Sequence, residues 1–477
     1  MAARGGETLV SERMSELDAA WLHMERPDNA MVVNLLLTLS GPADLATVRG
    51  WFAERVLPVF RRFSQTVDDP VVTFGPVSGP AWVDVAAVDL DEHVTQVAVP
   101  APGDAAALHR AVDELASRPL PTDRPLWSLT LLTGHGDGCA LLLRSHHALA
   151  DGGALVALVL TACDAPDGAE PLPRPELHDA RPGRSGLPGP VGRVLERASS
   201  TARAVTATTA TLGSPLLAAL VDGDAARDLA GLTASDTTML AKLGVGMRPE
   251  SNLLQGPLSP AKRFGWTSAV DVADVSAVAK QGGFTLNDVV LGALTGALRT
   301  YLQRHDGLVD EVVVVCPVDL RERGAAMSSG LGNDFGLVFV ALPTGLAGTR
   351  LHRRVVHERM TVVKESREAA FIQGVLRTAG GLPARAQNAF IDTFAGRGTA
   401  VVTNVAGPPR TVELAGVAVR DILAWVPMTG PIGVGMSIVS YDGRLRVGLA
   451  ADAELVPDFD DLLVLLDGAL AEVAAEA

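Results

Sequence analysis

Apolar residues in the first half of the chain follow both strand and helix periods. Residues 30–40 form a continuous apolar run that ends at Gly41-Pro42, which predicts a buried strand. Residues 43–64 carry apolar side chains three to four positions apart, which predicts an amphipathic helix. The other elements predicted for this half are a helix over 105–117, strands over 126–132 and 139–146 joined by a turn at 134–138, and a helix over 153–163. This order indicates a mixed α/β unit.

The second half of the chain shows the same mixture after a change in composition. Residues 164–190 are rich in Pro, Gly and Arg, which is typical of a linker, and residues 191–245 are rich in Ala and Thr with weak helical periodicity. The dipeptide Asp442-Gly443 suits a tight primed turn of a hairpin. The predicted elements are helices over 286–303, 348–371 and from 459 to the end, and strands over 311–318, 334–342, 399–405 and 418–425.

Length and composition agree with two globular domains. The 477 residues exceed what one hydrophobic core usually fills, and 48% apolar with 20% charged residues is an ordinary globular balance. The predicted parts are an N-terminal domain over 1–180, a linker and helical crossover over 181–250, and a C-terminal domain over 251–477.

The charge balance argues against two classes of partner. The net charge is -15, from 40 basic and 55 acidic residues, and no run of Lys or Arg is present. A nucleic-acid-binding protein normally carries a basic patch, so we expect no nucleic-acid partner. The same balance disfavours docking on anionic lipid by charge alone, while apolar contact with a membrane stays open.

Cysteine usage and hydropathy predict a cytoplasmic protein. Cys139, Cys163 and Cys316 are far apart and lack the spacing of a disulfide framework or a zinc site, which suits a reducing compartment. The N terminus lacks the apolar core of a signal peptide. The longest apolar stretches, such as residues 154–162, are too short to span a bilayer.

The run HHALADG, which begins at His146, is the main candidate for chemistry. It follows an apolar strand, and a histidine at the end of a strand can direct a ring nitrogen into a cleft. The reference pKa of histidine, about 6.5, leaves a neutral nitrogen free to accept a proton near pH 7. We therefore predict that His147 is a general base, that Asp151 fixes the loop, and that Gly152 and Gly153 permit a tight turn into the next helix.

Two other interpretations of the histidine pair are weaker. Adjacent histidines on a strand point to opposite faces and cannot jointly bind a metal, and no third ligand stands at a suitable spacing, so we expect no metal. The pair could also be polar residues at a sheet edge. For His146 alone, a supporting hydrogen bond and a satisfied buried histidine are both open.

Further blocks along the chain carry a resemblance to a known family. They are MSELDAAWLHMERPDNAM at 14–31, RPLW at 124–127, GPLSPAKRFGW at 256–266, LNDVVLGALTGALRTYL at 286–302, PVDLRERG at 317–324, LGND at 331–334, TNVAGP at 403–408 and SYDGRLRVGLAAD at 440–452. Together with HHALADG, this ordered set resembles the bacterial wax ester synthase/diacylglycerol acyltransferase family. The motif HHxxxDG alone is shared with nonribosomal-peptide condensation domains and related acyltransferases.

The resemblance implies an α/β, two-domain chloramphenicol-acetyltransferase-like fold with a substrate tunnel between the domains. Acyl-CoA and an alcohol would enter from opposite sides and meet at His147. It implies direct acyl transfer, so no Ser or Cys nucleophile is required and no cofactor is expected beyond acyl-CoA as co-substrate. Related folds also imply that Arg321 pairs with Asp151 across the domains, the alternative being a solvent-facing loop arginine.

Four further residues are candidates for the site. Asn287 and Asp288 head a predicted helix, where they either cap the helix or act in the cleft. If they act, Asn287 is better placed to donate a hydrogen bond to substrate or to the oxyanion. Thr403 and Asn404, at the end of an apolar strand, are rival donors, and the sequence does not choose between them.

Other positions carry alternatives of their own. Lys262 and Arg263 either contact the phosphates of CoA or form a solvated loop pair. The family usually has Ser where this chain has Thr403, which keeps a hydroxyl. It usually has Arg where this chain has Asp334, which changes the expected contacts there.

Our leading hypothesis is transfer of a fatty acyl group from CoA to diacylglycerol or a fatty alcohol, giving triacylglycerol or a wax ester. The enzyme would work at a membrane or lipid-droplet surface through exposed apolar patches. The alternatives are an O-acyltransferase of specialised metabolism with a polar acceptor, a catalytically silent lipid-binding relative, and a condensation domain with carrier-protein substrates. The intact HHxxxDG argues against the silent relative, and the chain shows no carrier module.

Overall fold

A six-stranded sheet organises the first half of the protein. The structure is a computed structural model, and it describes residues 11–69, 79–178, 251–321, 327–366, 368–380, 387 and 395–477. In spatial order the strands are β15 (Glu413–Leu414), β16 (Val417–Trp425), β2 (Val32–Leu39), β7 (Gly138–His146), β6 (Trp127–His135) and β5 (Val94–Ala98). Neighbouring strands are antiparallel except β5 and β6, which are parallel.

A seven-stranded sheet organises the second half. Its main path runs through β10 (Val270–Asp271), β18 (Arg444–Asp452), β17 (Val434–Tyr441), β14 (Ala400–Ala406), β11 (Val312–Asp319) and β13 (Phe335–Leu342), while β9 (Lys262–Trp266) also pairs with β18. β14 is parallel to both of its neighbours, β11 and β17. Two smaller sheets contain β1 (Ser11–Arg13), β4 (Ala81–Asp84) and β3 (Gln65–Asp68), and β8 (Leu177–His178) with β12 (Met327–Ser328).

Helices complete both halves. In the described ranges they are α1 (Glu16–His23), α2 (Leu45–Arg55), α3 (Leu90–His93), α4 (Ala105–Ala116), α5 (Gly152–Ala162), α6 (Val272–Gly282), α7 (Leu286–Arg304), α8 (Thr349–Glu365), α9 (Glu368–Gly380) and α10 (Phe459–Ala475). A 3-10 turn occupies Arg61–Ser64. Within the ranges that the structure describes, no helix is both long and apolar enough to cross a membrane.

Most predicted elements are confirmed, but two predicted helices are wrong in extent. The helix predicted over 43–64 ends at Arg55, shortly before Pro58, which has no N–H and whose ring clashes with the preceding helical turn. The helix predicted over 348–371 is divided at Ser366. The Ser366 hydroxyl donates to the Val363 carbonyl at 2.7 Å and accepts from the Glu368 amide at 3.2 Å. This local competition ends α8 and starts α9.

One strand of the first sheet comes from the second half of the chain. β16 pairs with β2 from Val419 opposite Leu39 to Trp425 opposite Asn34. The two halves therefore share a sheet, which the pattern of apolar residues did not indicate. The predicted domain boundaries stay a prediction, because the whole of the predicted linker and crossover over 181–250 lies outside the described residues.

Candidate active site

His147 lies where the chain leaves the first sheet. All nine residues of β7 are buried, and the next residue, His147, donates its backbone N–H to the Met31 carbonyl at 2.7 Å. The imidazole is 6% exposed. Its ring stacks on the Trp21 indole of α1, with centroids 4.1 Å apart and planes 7° apart, and the Phe335 ring of β13 lies 5.7 Å away. The ring is thus enclosed by side chains from both halves of the protein.

Asn333 bonds to the same imidazole. The His147 Nδ1 lies 3.0 Å from Asn333 Oδ1, and Asn333 Nδ2 donates to the His147 carbonyl at 2.8 Å. The Asp18 Oδ1 accepts from both Asn333 Nδ2, at 2.7 Å, and the Asn333 backbone N–H, at 3.2 Å. Asp18 is itself buried, at 4% exposure. These contacts connect Asp18 of α1 with His147, which follows β7, and with Asn333, which precedes β13.

Burial controls the protonation of His147. It lowers the pKa of the imidazole to about 4, against the opposing effects of the backbone carbonyl of His147, the charge of Asp151 and the hydrogen bond with Asn333. A histidine whose pKa is lowered in this way is neutral near pH 7. The site therefore presents an uncharged imidazole, as a general base requires.

Asp151 holds the loop and joins the two halves. Its Oδ1 accepts from the Ala154 backbone N–H at 2.9 Å, which caps α5. Its Oδ2 accepts from Arg321 Nη2 at 2.5 Å and from the Asp334 backbone N–H at 3.1 Å, and Arg321 Nη1 lies 3.3 Å from Oδ1. The pairing that the resemblance implied is present, and both carboxylate oxygens are engaged. This geometry suits a structural role for Asp151 rather than a proton carrier.

Gly152 and Gly153 allow this close approach. A Cβ on Gly153 would lie 3.1 Å from Arg321 Nη1 and 3.4 Å from Asp151 Oδ1, so a side chain there would crowd the ion pair. A Cβ on Gly152 would lie 3.2 Å from the Val405 side chain of β14. The two glycines therefore bring the loop after His147 against the second sheet.

His146 has different neighbours from His147. Its Nδ1 accepts from the Ala148 backbone N–H at 3.0 Å. Its Nε2 lies 3.4 Å from Glu25 Oε2 without the geometry of a hydrogen bond, and the residue is 3% exposed. These contacts favour a buried structural histidine, and its predicted catalytic role stays a prediction.

Three of the predicted site residues meet at a cavity in the second half. Asn404 Nδ2 lies 3.3 Å from Asn287 Oδ1, and Thr403 lines the same space. The cavity has about 1020 Å³ free of protein atoms, part of it open to solvent. Its lining is mostly apolar: Leu291, Cys316, Pro317, Val318, Leu320, Val338, Met360, Val363, Ala369, Ala370 and Val402, with Lys364 and Ser366. The residues that contact the imidazole are not among them, so the predicted residues form two clusters.

Asp288 is not open to a substrate, against the substrate-binding role expected for it. The N-cap of α7 is Thr285, whose backbone N–H donates to Asp288 Oδ2 at 2.9 Å in a capping box. The same oxygen lies 2.8 Å from His357 Nδ1, and Asp288 is 0% exposed. The capping alternative is therefore the one that the geometry favours.

The structure also revises the expectation for Lys262 and Arg263. The Lys262 Nζ donates to Asp452 Oδ2 at 2.8 Å and is 9% exposed, while Arg263 pairs with Asp113 and Asp460. Both cations are occupied by carboxylates, so CoA phosphates would have to displace them. Neither the phosphate contact nor the solvated pair describes Lys262, which is buried.

Sequence reasoning did not identify Asp18, Trp21, Asn333 and Phe335 as neighbours of the imidazole. Asp18 and Trp21 belong to the block at 14–31, and Asn333 belongs to LGND at 331–334. Both blocks were noted only for their likeness to a family. Because Asp18 and Asn333 are 315 residues apart, no local period links them. The presence of both blocks in the same chain as HHALADG is the signal from which their contact with the histidine could have been predicted.

Comparisons with known proteins agree on one family. Residues 14–290 match the model of the wax ester synthase/diacylglycerol acyltransferase catalytic domain, and residues 331–474 match that of the WS/DGAT C-terminal domain. A relative from Mycobacterium tuberculosis (strain CDC 1551 / Oshkosh), named probable diacylglycerol O-acyltransferase tgs1, is 28% identical over 472 residues, covering 97% of this chain and 96% of its own.

Two solved structures show the fold. The wax ester synthase/diacylglycerol acyltransferase from Marinobacter aquaeolei VT8 superposes with a TM-score of 0.66 at 20% identity, covering 98% of this chain and 99% of its own. The first condensation domain of the calcium-dependent antibiotic synthetase gives 0.57 at 16% identity, with 98% and 96% covered. The two-domain chloramphenicol-acetyltransferase-like architecture expected from the sequence is thus confirmed.

Proposed function

The chain belongs to the wax ester synthase/diacylglycerol acyltransferase family, and we propose that it transfers a fatty acyl group from CoA to an alcohol with His147 as the general base. That it is an acyltransferase, with an acyl donor and an alcohol acceptor as substrates and an ester lipid as product, follows from the family and its relatives. The observation that carries the role of His147 is a buried, neutral imidazole in HHALADG that both halves of the protein enclose.

The step is a direct transfer. His147 Nε2 takes the proton of the acceptor hydroxyl as the oxygen attacks the thioester carbonyl carbon, forming a C–O bond. The C–S bond then breaks, and the imidazolium returns the proton to the departing thiolate of CoA. No protein group bonds to His147 Nε2 among the residues that the structure describes, which leaves that nitrogen for a substrate.

The state of the cysteine in the cavity supports direct transfer over a covalent acyl-enzyme. Burial raises the pKa of the Cys316 thiol to about 12. A thiol with so high a pKa is almost entirely protonated near pH 7, and the thiolate is the nucleophilic form. Cys316 is therefore a part of the cavity wall rather than an acyl carrier.

We assign the cavity beside Asn287, Thr403 and Asn404 to substrate. Its apolar wall suits an acyl chain, and its polar rim carries amide and hydroxyl donors of the kind that stabilise an oxyanion. A Cβ on Gly152 would lie 3.2 Å from the side chain of Val405, the residue after Asn404, and this closeness supports a connection between the rim and the loop that carries His147.

The proposed acceptors are diacylglycerol and long-chain alcohols, presented at a membrane or lipid-droplet surface. The names of the relatives support these acceptors. Exposed apolar side chains support peripheral contact: Leu346 is 40% exposed, Leu351 39% and Val362 68%, the last two on α8.

The test is turnover by the purified full-length protein. A panel of acyl-CoAs is offered with diacylglycerol, long-chain alcohols and polar alcohols, and both free CoA and ester are measured. We expect ester and CoA in equal amounts, lost in His147→Ala and retained in His178→Ala, a histidine variant at an exposed position. No turnover with any acceptor by folded protein would contradict the proposal and favour a lipid-binding role, and turnover with polar alcohols alone would favour specialised metabolism.

A further inference from the structure

The orientation of the Asn333 side-chain amide is determined by its partners. Asn333 Nδ2 lies 2.8 Å from the His147 carbonyl, which can only accept a hydrogen bond. This atom must therefore be the amide nitrogen. The assignment does not depend on the protonation state of Asp18, the other partner of Nδ2, although burial raises the pKa of the Asp18 carboxyl.

The amide orientation determines the tautomer of His147. With Nδ2 committed to the His147 carbonyl and to Asp18, the atom facing the imidazole is Oδ1, which is an acceptor only. The imidazole nitrogen 3.0 Å from it, Nδ1, must then carry the proton. A neutral imidazole carries one proton, so the lone pair is on Nε2.

We propose that Asn333, held by Asp18, is a positioning residue that keeps His147 in the Nδ1-protonated tautomer and leaves the Nε2 lone pair for the acceptor hydroxyl. That Nε2 accepts the proton of a hydroxyl rests on the proposed function, whereas the tautomer itself does not. Trp21 completes the arrangement, because an indole stacked 4.1 Å from the ring at 7° restricts rotation of the imidazole.

The position of these residues in the chain gives the contact a second consequence. Asp18 comes from the first half and Asn333 from the second, 315 positions apart in the chain. His147 donates its backbone N–H to Met31, just before β2, and its backbone carbonyl accepts from Asn333 Nδ2, so both halves hold its main chain. Both the main-chain position of the base and its reactive tautomer therefore depend on the contact between the halves.

The experiment uses the full-length protein and three variants. Asn333→Ala removes the acceptor at Nδ1, Asn333→Asp keeps an acceptor oxygen there, and Asn252→Ala is the control. Asn252 is a buried amide that bonds Thr399 Oγ1 at 3.2 Å and the Leu254 backbone N–H at 3.0 Å. We expect Asn333→Ala to lower kcat by about 10- to 100-fold with little change in the KM for acyl-CoA. Asn333→Asp should recover only a part of that loss, because its second oxygen cannot donate to the His147 carbonyl or to Asp18. Asn252→Ala should lower thermal stability with kcat retained.

A chemical rescue separates the tautomer from general structural damage. In Asn333→Ala, His147 is replaced with a histidine methylated at Nδ1, in which the methyl group occupies the proton's place and the lone pair can only be on Nε2. We expect kcat to rise above that of Asn333→Ala. A histidine methylated at Nε2 should stay inactive. Wild-type kcat in Asn333→Ala, or no rescue by the Nδ1-methylated residue, would overturn the proposal.

A measurement without turnover keeps this proposal distinct from the proposed function. The ¹⁵N shifts of labelled histidine, assigned by comparison with His147→Gln, report which ring nitrogen carries the proton. We expect protonated Nδ1 at position 147 in the wild-type protein and a mixture in Asn333→Ala. Protonated Nε2 in the wild type would overturn the positioning role even if the enzyme is active. Absence of turnover would overturn only the proposed acyl transfer and would leave the assignment of the tautomer intact.

Discussion

The surroundings of His147 and the cavity beside Asn287 are built in different ways. The imidazole touches Trp21, Asn333 and Phe335, which come from both halves, and His147 is 6% exposed with its Nδ1 hydrogen-bonded to Asn333. The cavity is lined by elements of the second half alone and is apolar and open to solvent. The comparison teaches that proton transfer depends on how the halves meet, whereas the volume for substrate depends on packing within one of them.

The largest expected effect is loss of the base itself. His147→Ala should lower kcat by about 10²- to 10⁴-fold, because proton removal by a positioned side chain contributes that much to a rate. Asn287→Ala, at the cavity rim, should cost less, since Asn404 and Thr403 remain as donors. Steady-state kinetics with one acyl-CoA and one alcohol measure both. Equal losses in the two variants would remove the distinction between the clusters.

The next largest effect concerns the contact between the halves. Arg321→Ala leaves the Asp151 carboxylate buried without its cation, which should lower the free energy of unfolding by about 3 kcal/mol and lower the rate as well. Arg354→Ala, an exposed arginine, should change stability by less than about 0.5 kcal/mol. Urea unfolding followed by circular dichroism measures both variants. If Arg321→Ala unfolds at the same urea concentration as the wild type, the ion pair does not join the halves.

A smaller effect is expected from filling the cavity. Leu291→Trp should shift the preferred acyl-CoA to a shorter chain, because each buried methylene contributes about 0.8 kcal/mol and the space for the last ones is lost. Leu298→Trp, on the same helix but outside the lining, is the matched control for overpacking. Competition among acyl-CoAs of different length gives the preference. A shift in the control but not in Leu291→Trp would place the acyl chain elsewhere.

The smallest effect is in the pH profile. With the pKa of His147 near 4, the imidazole stays neutral down to about pH 5, so kcat/KM should change less than about twofold between pH 5.5 and 8. It should fall only as the pH drops toward 4. A base with the ordinary pKa of about 6.5 would lose about tenfold at pH 5.5. An acid limb near 6.5 would indicate that water reaches the imidazole freely.

The same pKa shift predicts a loss of stability in acid. The pKa of His147 is lower in the folded protein than in the unfolded chain, where it is about 6.5. Between those two values the unfolded state binds more protons, so stability should decrease as the pH falls from about 6.5 toward 4. Each kinetic measurement in acid therefore needs a circular dichroism spectrum to show that the protein is folded.

Local features were predictable from the sequence. The apolar period places α7 within one residue of the predicted helix, although its N-cap is Thr285 rather than Asn287 or Asp288. The turn at Asp442-Gly443 is present between β17 and β18, with positive φ at both residues, because few residue pairs adopt that backbone readily. HHALADG was also placed correctly at the end of a strand, because the apolar run before it predicts that strand.

Contacts between distant parts of the chain were not predictable. The pairing of β16 with β2 and the contact of Asn333 with Asp18 leave no period or spacing in the sequence. Strand pairing is decided by the packing of whole faces, which a single sequence does not display. The same applies to Lys262, whose carboxylate partner Asp452 is 190 residues away.

The strand that the second half contributes to the first sheet has a consequence for dividing the protein. If the chain were cut between residues 179 and 250 and the first piece produced alone, β2 would lose β16 and become an open edge with unpaired N–H and C=O groups. Such an edge invites aggregation. The two pieces should instead become soluble and active when co-expressed, since the second piece would supply the missing strand.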